Sequence, residues 1–143
     1  MTVKQISVFV ENKPGQLAEF TALLRQNNID MRALSIAETQ DFGILRLIVS
    51  DSYQTACVLK DAGYVFSITP VLAVAVPDQA GSLYGILRLL GDSGINLEYT
   101  YAFITRKKDL AYMVMRVADN EKAAQVLTQH GVKLITQEEL DAL

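Results

Sequence analysis

Four polar residues stand where they could hold a small charged molecule: Asn12 and Asp30 early in the chain, Asp78 and Asn96 later. Each pair is one amide and one carboxylate. An amide can donate to a ligand carboxylate, and an aspartate can accept from an ammonium group. That combination suits the zwitterion of a free amino acid. Between the members of each pair lies a glycine turn, Asn12-Lys13-Pro14-Gly15-Gln16-Leu17 in one case and Asp78-Gln79-Ala80-Gly81-Ser82-Leu83 in the other. Gly15 and Gly81 let the backbone come close to a ligand, and a helix starting just after them offers free N–H groups to an anion. On this reading Asp30 and Asn96 lie beside the same helix terminus as their turns. The plainer reading makes Asn12 and Asp78 ordinary turn or capping residues, and Asp30 and Asn96 mere helix-end residues.

The elements that must position these groups occur twice. Gly15 and Gly81 are 66 residues apart (81 − 15 = 66), a spacing that holds from Ile6 to Met31. Asp51, Leu59 and Gly63 map instead onto Asp119, Leu127 and Gly131, 68 residues on (119 − 51 = 68), so two residues are gained in between. A repeat of this length means two copies of one module. Each copy opens on alternating apolar residues, Ile6, Val8 and Val10 or Leu72, Val74 and Val76, which is strand periodicity. After the turn, Leu17, Phe20 and Leu24 or Leu83, Ile86 and Leu90 recur at helical spacing. The first helix should end near Asn27 and Asn28, and its twin near Ser93 and Gly94. Two extended runs follow, residues 29–39 and 43–49, matched by 95–105 and 110–117, reading as hairpins. The tip at Arg106, Lys107, Lys108 and Asp109 is the natural place for the two extra residues. A second helix starts near Asp51 or Asp119 and closes at Gly63 or Gly131. A last strand, residues 64–69 or 132–135, completes each copy, and Thr136-Gln137-Glu138-Glu139 is a capping-box pattern that opens a further short helix.

The order strand, helix, strand, strand, helix, strand is the ferredoxin-like βαββαβ unit. The fold class is therefore α+β, two tandem antiparallel sheets with helices on one face, divided into residues 1–69 and 70–143. Only Pro70 punctuates the junction, so the copies are expected to form one rigid unit rather than beads on a flexible string. Ala73 and Ala75 are small and apolar where a solvated face would be polar, which predicts that the other copy or a second chain covers them.

Bulk properties narrow the function. The 143 residues are 50% hydrophobic and 20% charged with a net charge of −3, which fits a globular protein and argues against nucleic acid as partner. One cysteine, Cys57, and one histidine, His130, provide neither a disulfide nor a zinc site, so no metal or other cofactor is expected. His130 complements a helix C-terminus, and no base accompanies Cys57. Apolar runs fall short of a membrane span, and the first residues lack a signal-peptide layout, so a soluble cytoplasmic protein with no membrane partner is expected. Tyr99 and Tyr101 could line a pocket or pack at a sheet edge. The middle strands carry no RNA-binding signature, and neither first loop has the cysteine pair of metal carriers of this fold.

The two turns carry a family resemblance. A strand, Asp or Asn, two residues, Gly, one residue, Leu, a helix and then a Gly-Ile-Asn-type turn resembles the ACT domain, the small regulatory module of amino-acid metabolism. Residues 12–17 with Asn28-Ile29-Asp30 match it, and residues 78–83 with Gly94-Ile95-Asn96 match it more closely. Copy one departs at Asn28, where Gly is favoured, and at Asp30, where Asn is frequent. The resemblance implies amino-acid binding at interfaces between ACT units, through Asn12, Gly15, Leu17 and Asp30, and through Asp78, Gly81, Leu83 and Asn96. Pro14, Gln16, Ala80 and Ser82 complete the turns, and Met31 and Leu97 would join Leu17 and Leu83 in a rim favouring an apolar or aromatic side chain. It implies a non-catalytic regulatory protein acting as a homodimer, or a regulatory subunit conferring feedback control on a partner enzyme of amino-acid biosynthesis. An enzyme using Asp30 or Asp78 as base ranks below both, since nothing shows an activated nucleophile.

Overall fold

In the computed structural model, which describes residues 1–104 and 107–143, the elements run β1 (Val3–Glu11), α1 (Gln16–Gln26), β2 (Met31–Glu38), β3 (Phe42–Val49), α2 (Ser52–Asp61), β4 (Phe66–Pro77), α3 (Ser82–Asp92), β5 (Leu97–Ala102), β6 (Leu110–Val117), α4 (Asn120–Gln129) and α5 (Gln137–Asp141). The chain divides into two compact units, Lys4–Thr69 and Pro70–Leu143, the latter with Met1–Val3. These are called the first and second module below.

In the first module β1 and β2 flank β3, both antiparallel to it. The inward residues of β1, Ile6, Val8 and Val10, meet Leu45, Leu47 and Val49 of β3, and helices α1 and α2 close that face with Phe20, Leu24 and Leu59. The Phe20 and Tyr64 rings meet edge to face, their centroids 5.3 Å apart. The second module repeats the plan. Strands β4 and β5 flank β6, and Leu72, Val74 and Val76 face Met115 and Val117 under Ile86, Leu90 and Leu127. Both modules are thus ferredoxin-like units, antiparallel sheets with helices on one face.

The two copies agree in detail. Ile6 pairs with Leu47 as Leu72 pairs with Met115, and Met31 with Val49 as Leu97 with Val117. Each inner hairpin carries a register shift at the same place, between Met31 and Ala33 and between Leu97 and Tyr99. Ala37 opposes Ile44, and Phe103 donates to Tyr112 O at the matching position, so the two extra residues fall in the tip beyond Phe103. Thr105 and Arg106, part of that expected tip, lie outside the described residues. Asp51 and Asp119 cap α2 and α4, accepting from the amides of Gln54 and Lys122 at 2.9 and 3.0 Å.

Two expectations are corrected. The strands expected to begin at Ile29 and Ile95 begin two residues later. Both isoleucines are buried, and their amides donate to Leu24 O and Leu90 O, closing the helix end instead of joining the sheet. The left-handed residue this closure needs is Gly94 (φ 70) in one copy and Asn28 (φ 54) in the other, asparagine being the side chain that best tolerates it. The strand expected over residues 132–135 is reduced to a bridge between Val74 and Leu134, with bonds from Ala75 to Lys133 O and from Ile135 to Ala73 O. Thr136 stops it there, because its amide and hydroxyl are committed to Glu139 in the capping box of α5. As expected, Ala73 and Ala75 are covered: they are 1% and 6% exposed within the single chain.

Candidate functional site

Gly15 and Gly81 are the N-cap residues of α1 and α3, and both are left-handed, with φ of 84 and 89. A β-carbon at either would meet nothing within 4 Å, so the glycine answers to backbone geometry and not to crowding. No side chain caps either helix. The Gln16 and Ser82 amides turn back to Lys13 O and Gln79 O, and Glu19 and Gly85 donate to Gly15 O and Gly81 O. The first-turn amides in between, those of Leu17 and Ala18 or of Leu83 and Tyr84, face an uncapped helix start, the arrangement that accepts an anion. Pro14, Gly15 and Leu17 are exposed, as are Asp78, Ala80 and Gly81, while Gln16, Ser82 and Leu83 are half-buried.

The remaining expected residues are elsewhere. Asn12 follows Glu11, which pairs with Phe42; Asp30 precedes Met31, which pairs with Val49. Seven steps of β3 separate those ends, about 23 Å at strand rise. The second module repeats this, with Pro77 paired to Leu110 and Leu97 paired to Val117. The expectation that each pair lies beside one helix terminus is therefore corrected: α1 and α3 each keep their turn and their following polar residue at opposite ends. Asn12 is also occupied, since its side-chain amide donates to Thr39 O at 3.0 Å and braces the β2–β3 tip. Asp78 has the backbone part of that bond, its amide donating to Asp109 O, but its carboxylate cannot replace the amide donor.

At the far end, Asp30 pairs with Arg32 at 2.9 Å, a guanidinium only 14% exposed, and exchanges backbone and side-chain bonds with Ser50. Asn96 is exposed at the mouth of a cavity of about 310 Å³ among Glu98, Asp119 and Lys122. Sequence reasoning missed Arg32 and Ser50. Their signal was weak, because the position matching Arg32 in the second copy is Glu98. Of the expected apolar rim, Met31, Leu83 and Leu97 lie partly buried against their module cores, and Leu17 alone is well exposed. Tyr99 and Tyr101 stack along β5 with ring centroids 6.4 Å apart. His130 caps α4, its Nδ1 bonding Val126 O, and Cys57 is exposed.

A larger groove of about 590 Å³ lies beside the second turn, between the first half of α3 and the segment after α4. Among the described residues, no cluster of three or more His, Cys, Asp or Glu could hold a metal ion, and no helix is long and apolar enough to cross a membrane.

The whole chain, residues 1–143, matches the family model described as an ACT domain pair. The chain belongs to the ACT domain pair family. Protein BT0572 from Bacteroides thetaiotaomicron, known from its crystal structure, is 38% identical, with 100% of this chain and 98% of that one covered and a TM-score of 0.92. The regulatory subunit of aspartate kinase from Thermus thermophilus, in its ligand-free form, is 13% identical over 88% of this chain and 90% of its own, with a TM-score of 0.65. Its counterpart from Thermus flavus is 15% identical over the same shares, with a TM-score of 0.58. The two kinase subunits share the fold. No curated protein matches the sequence. ACT domains form a regulatory, amino-acid-binding family, and this ACT pair holds Gly15 and Gly81 in the same left-handed geometry in its two modules.

Proposed function

We propose that this ACT pair is a non-catalytic cytoplasmic regulator that binds a free amino acid with an apolar or aromatic side chain. The observation that carries the reading is the repeated, uncapped glycine turn at the start of α1 and α3 in a chain that matches the ACT pair from end to end. The ligand carboxylate sits on the first-turn amides, and an acceptor such as Asp30, or the side-chain oxygen of Asn96, takes the ammonium group. Because about 23 Å of strand separates these halves within a module, one amino acid cannot bridge them there. Another ACT unit brings the missing half, and in this reading a second copy of the chain supplies it, so that the active form is a homodimer. The exposed sheet face of the first module supports this. Phe9 and Phe42, 52% and 57% exposed, lie on one face by the β1–β3 register, with Ile44 between them. Binding then favours one arrangement of the dimer over another, and a partner reads the difference.

Thermal unfolding against the twenty amino acids tests this. A ligand at about 100 times its Kd adds roughly 2.7 kcal/mol. The expected result is a rise with a related group of apolar amino acids, lost in Asp30→Ala or Asn96→Ala. No response to any of them removes the reading. Sedimentation of the wild type against Phe9→Glu tests the dimer. The likeness to aspartate kinase regulatory subunits favours a second role, a subunit conferring feedback on a biosynthetic enzyme; co-purification with a larger partner distinguishes it.

A further inference from the structure

The groove of the second module differs from its counterpart in the first at the positions that decide whether it is open. Where the first module has Phe20 and Tyr64 in edge-to-face contact, the second has the smaller Ile86 and Val132. Where the first has Glu19, the second has Gly85. Gly85 lies inside α3, where glycine costs about 1 kcal/mol relative to alanine, and a β-carbon there would meet nothing within 4 Å. The result is a groove of about 590 Å³ against about 410 Å³ in the first module, within the usual size of a small-molecule site. Its floor is apolar, built from Ala75, Ile86, Leu89, Leu110 and Val132. Its polar edge holds the Lys133 ammonium and, at Ser82, the positive end of α3. No carboxylate lines it among the described residues, although Glu139 pairs with Lys133 at 2.9 Å from outside the lining. The first-module cavity carries Glu19 on its wall, close enough that its charge adds to burial in raising the Tyr64 phenol.

We infer that the groove between α3 and the end of α4 is a binding site, present in the second module alone, for a small monocarboxylate with an apolar body. The body lies on the apolar floor, and the carboxylate meets Lys133 and the α3 start. The site shares the α3 start with the amino-acid reading of the turns, but it is complete within one module and needs neither an ammonium group nor a second copy of the chain.

Amide NMR of the full chain titrated with 3-phenylpropanoate tests it. Saturable shifts are expected at Ser82, Gly85, Gly131 and Val132 and not at Ala22, Gly63 or Tyr64. Gly85→Leu, whose side chain enters the groove, should abolish them. The neutral 3-phenylpropanamide should bind about tenfold more weakly, the loss expected for one charge-assisted bond. Should Gly85→Leu fail to fold, Gly85→Ala must still weaken binding. The inference is overturned by silence at those four amides up to about 10 mM, where even weak ligands report. Shifts that persist in the folded Gly85→Leu protein, or equal affinity for acid and amide, also overturn it. Amino-acid binding at the turns is read separately, at Gly15 in the first module and in the melting temperature against the twenty amino acids, so either idea can fail alone.

Discussion

Two glycines four residues apart in the second module should respond to alanine with opposite sign. Gly81 caps α3 with φ 89, a backbone region where an L side chain costs about 1–2 kcal/mol. Its β-carbon would meet no atom within 4 Å, so no clash adds to that cost. Gly81→Ala should therefore destabilise by about 1–2 kcal/mol, and Gly81→Asn by roughly half as much, since asparagine visits this region readily. Gly85 sits inside the helix and is equally uncrowded. There alanine removes only the entropic cost of glycine, and Gly85→Ala should stabilise by up to about 1 kcal/mol. Urea unfolding followed by circular dichroism reads both, with midpoints moving in opposite directions by roughly 0.5 M at ordinary slopes. A loss above about 4 kcal/mol at Gly81 would reveal a steric cost that the geometry excludes. Equal losses for alanine and asparagine at Gly81, or any loss for Gly85→Ala, would refute the assignment of these effects to backbone conformation.

Phe20 is fully buried and stacks edge-on against Tyr64, so Phe20→Ala should cost about 3–5 kcal/mol, read by urea unfolding. Asp51→Ala and Asp119→Ala each remove one bonded cap and should each cost about 1 kcal/mol, read as matching losses of melting temperature. The Glu139 carboxyl lies below its ordinary 4.5, first because the Thr136 amide donates to it and then because of Lys133. A depressed carboxylate contributes stability above its unfolded value and loses it as pH falls through the folded one. Glu139→Gln should thus flatten part of the acid loss below about pH 4.5, measured as melting temperature against pH, and leave neutral-pH curvature unchanged.

The parts of this molecule that follow local rules were legible in its residues. Helix starts at Asp51, Asp119 and Thr136 need only a capping side chain at the right spacing, and each is bonded as that spacing implies. The repeat itself carried the fold, because matching registers reproduce one sheet twice. What the residues did not disclose depends on where elements end in space. Asn12 and Asp30 look adjacent to one helix when read along the chain, yet α1 stands between them. Ile29 and Ile95 suit a strand by type, but a left-handed residue before each commits them to closing a helix. The second strand partner of Ala73 is cut short by a cap whose own bonds take precedence at Thr136.

The two copies show which features a module can vary. Gly15 and Gly81, the register shift in each inner hairpin and the aspartate caps are kept, and each is tied to backbone geometry that a substitution would strain or leave unbonded. The differences fall on side chains and leave the backbone frame alone. Asn12 braces a hairpin tip where Asp78 leaves its carboxylate uncommitted by any such bond, and Phe20, Tyr64 and Glu19 narrow a cleft and give it a carboxylate, where Ile86, Val132 and Gly85 leave it wider and without one. An aromatic pair in one module and a vacant groove in the other are two uses of one backbone position set. The first adds core packing of the kind that stabilises a small module. The second gives up that packing, and an interior glycine besides, in the place where a ligand could return the lost contact. Filling the groove from within separates these roles: Ile86→Phe with Val132→Tyr should stabilise the second module if the space is only a packing deficit. If the space is a site, the same pair should close it to 3-phenylpropanoate.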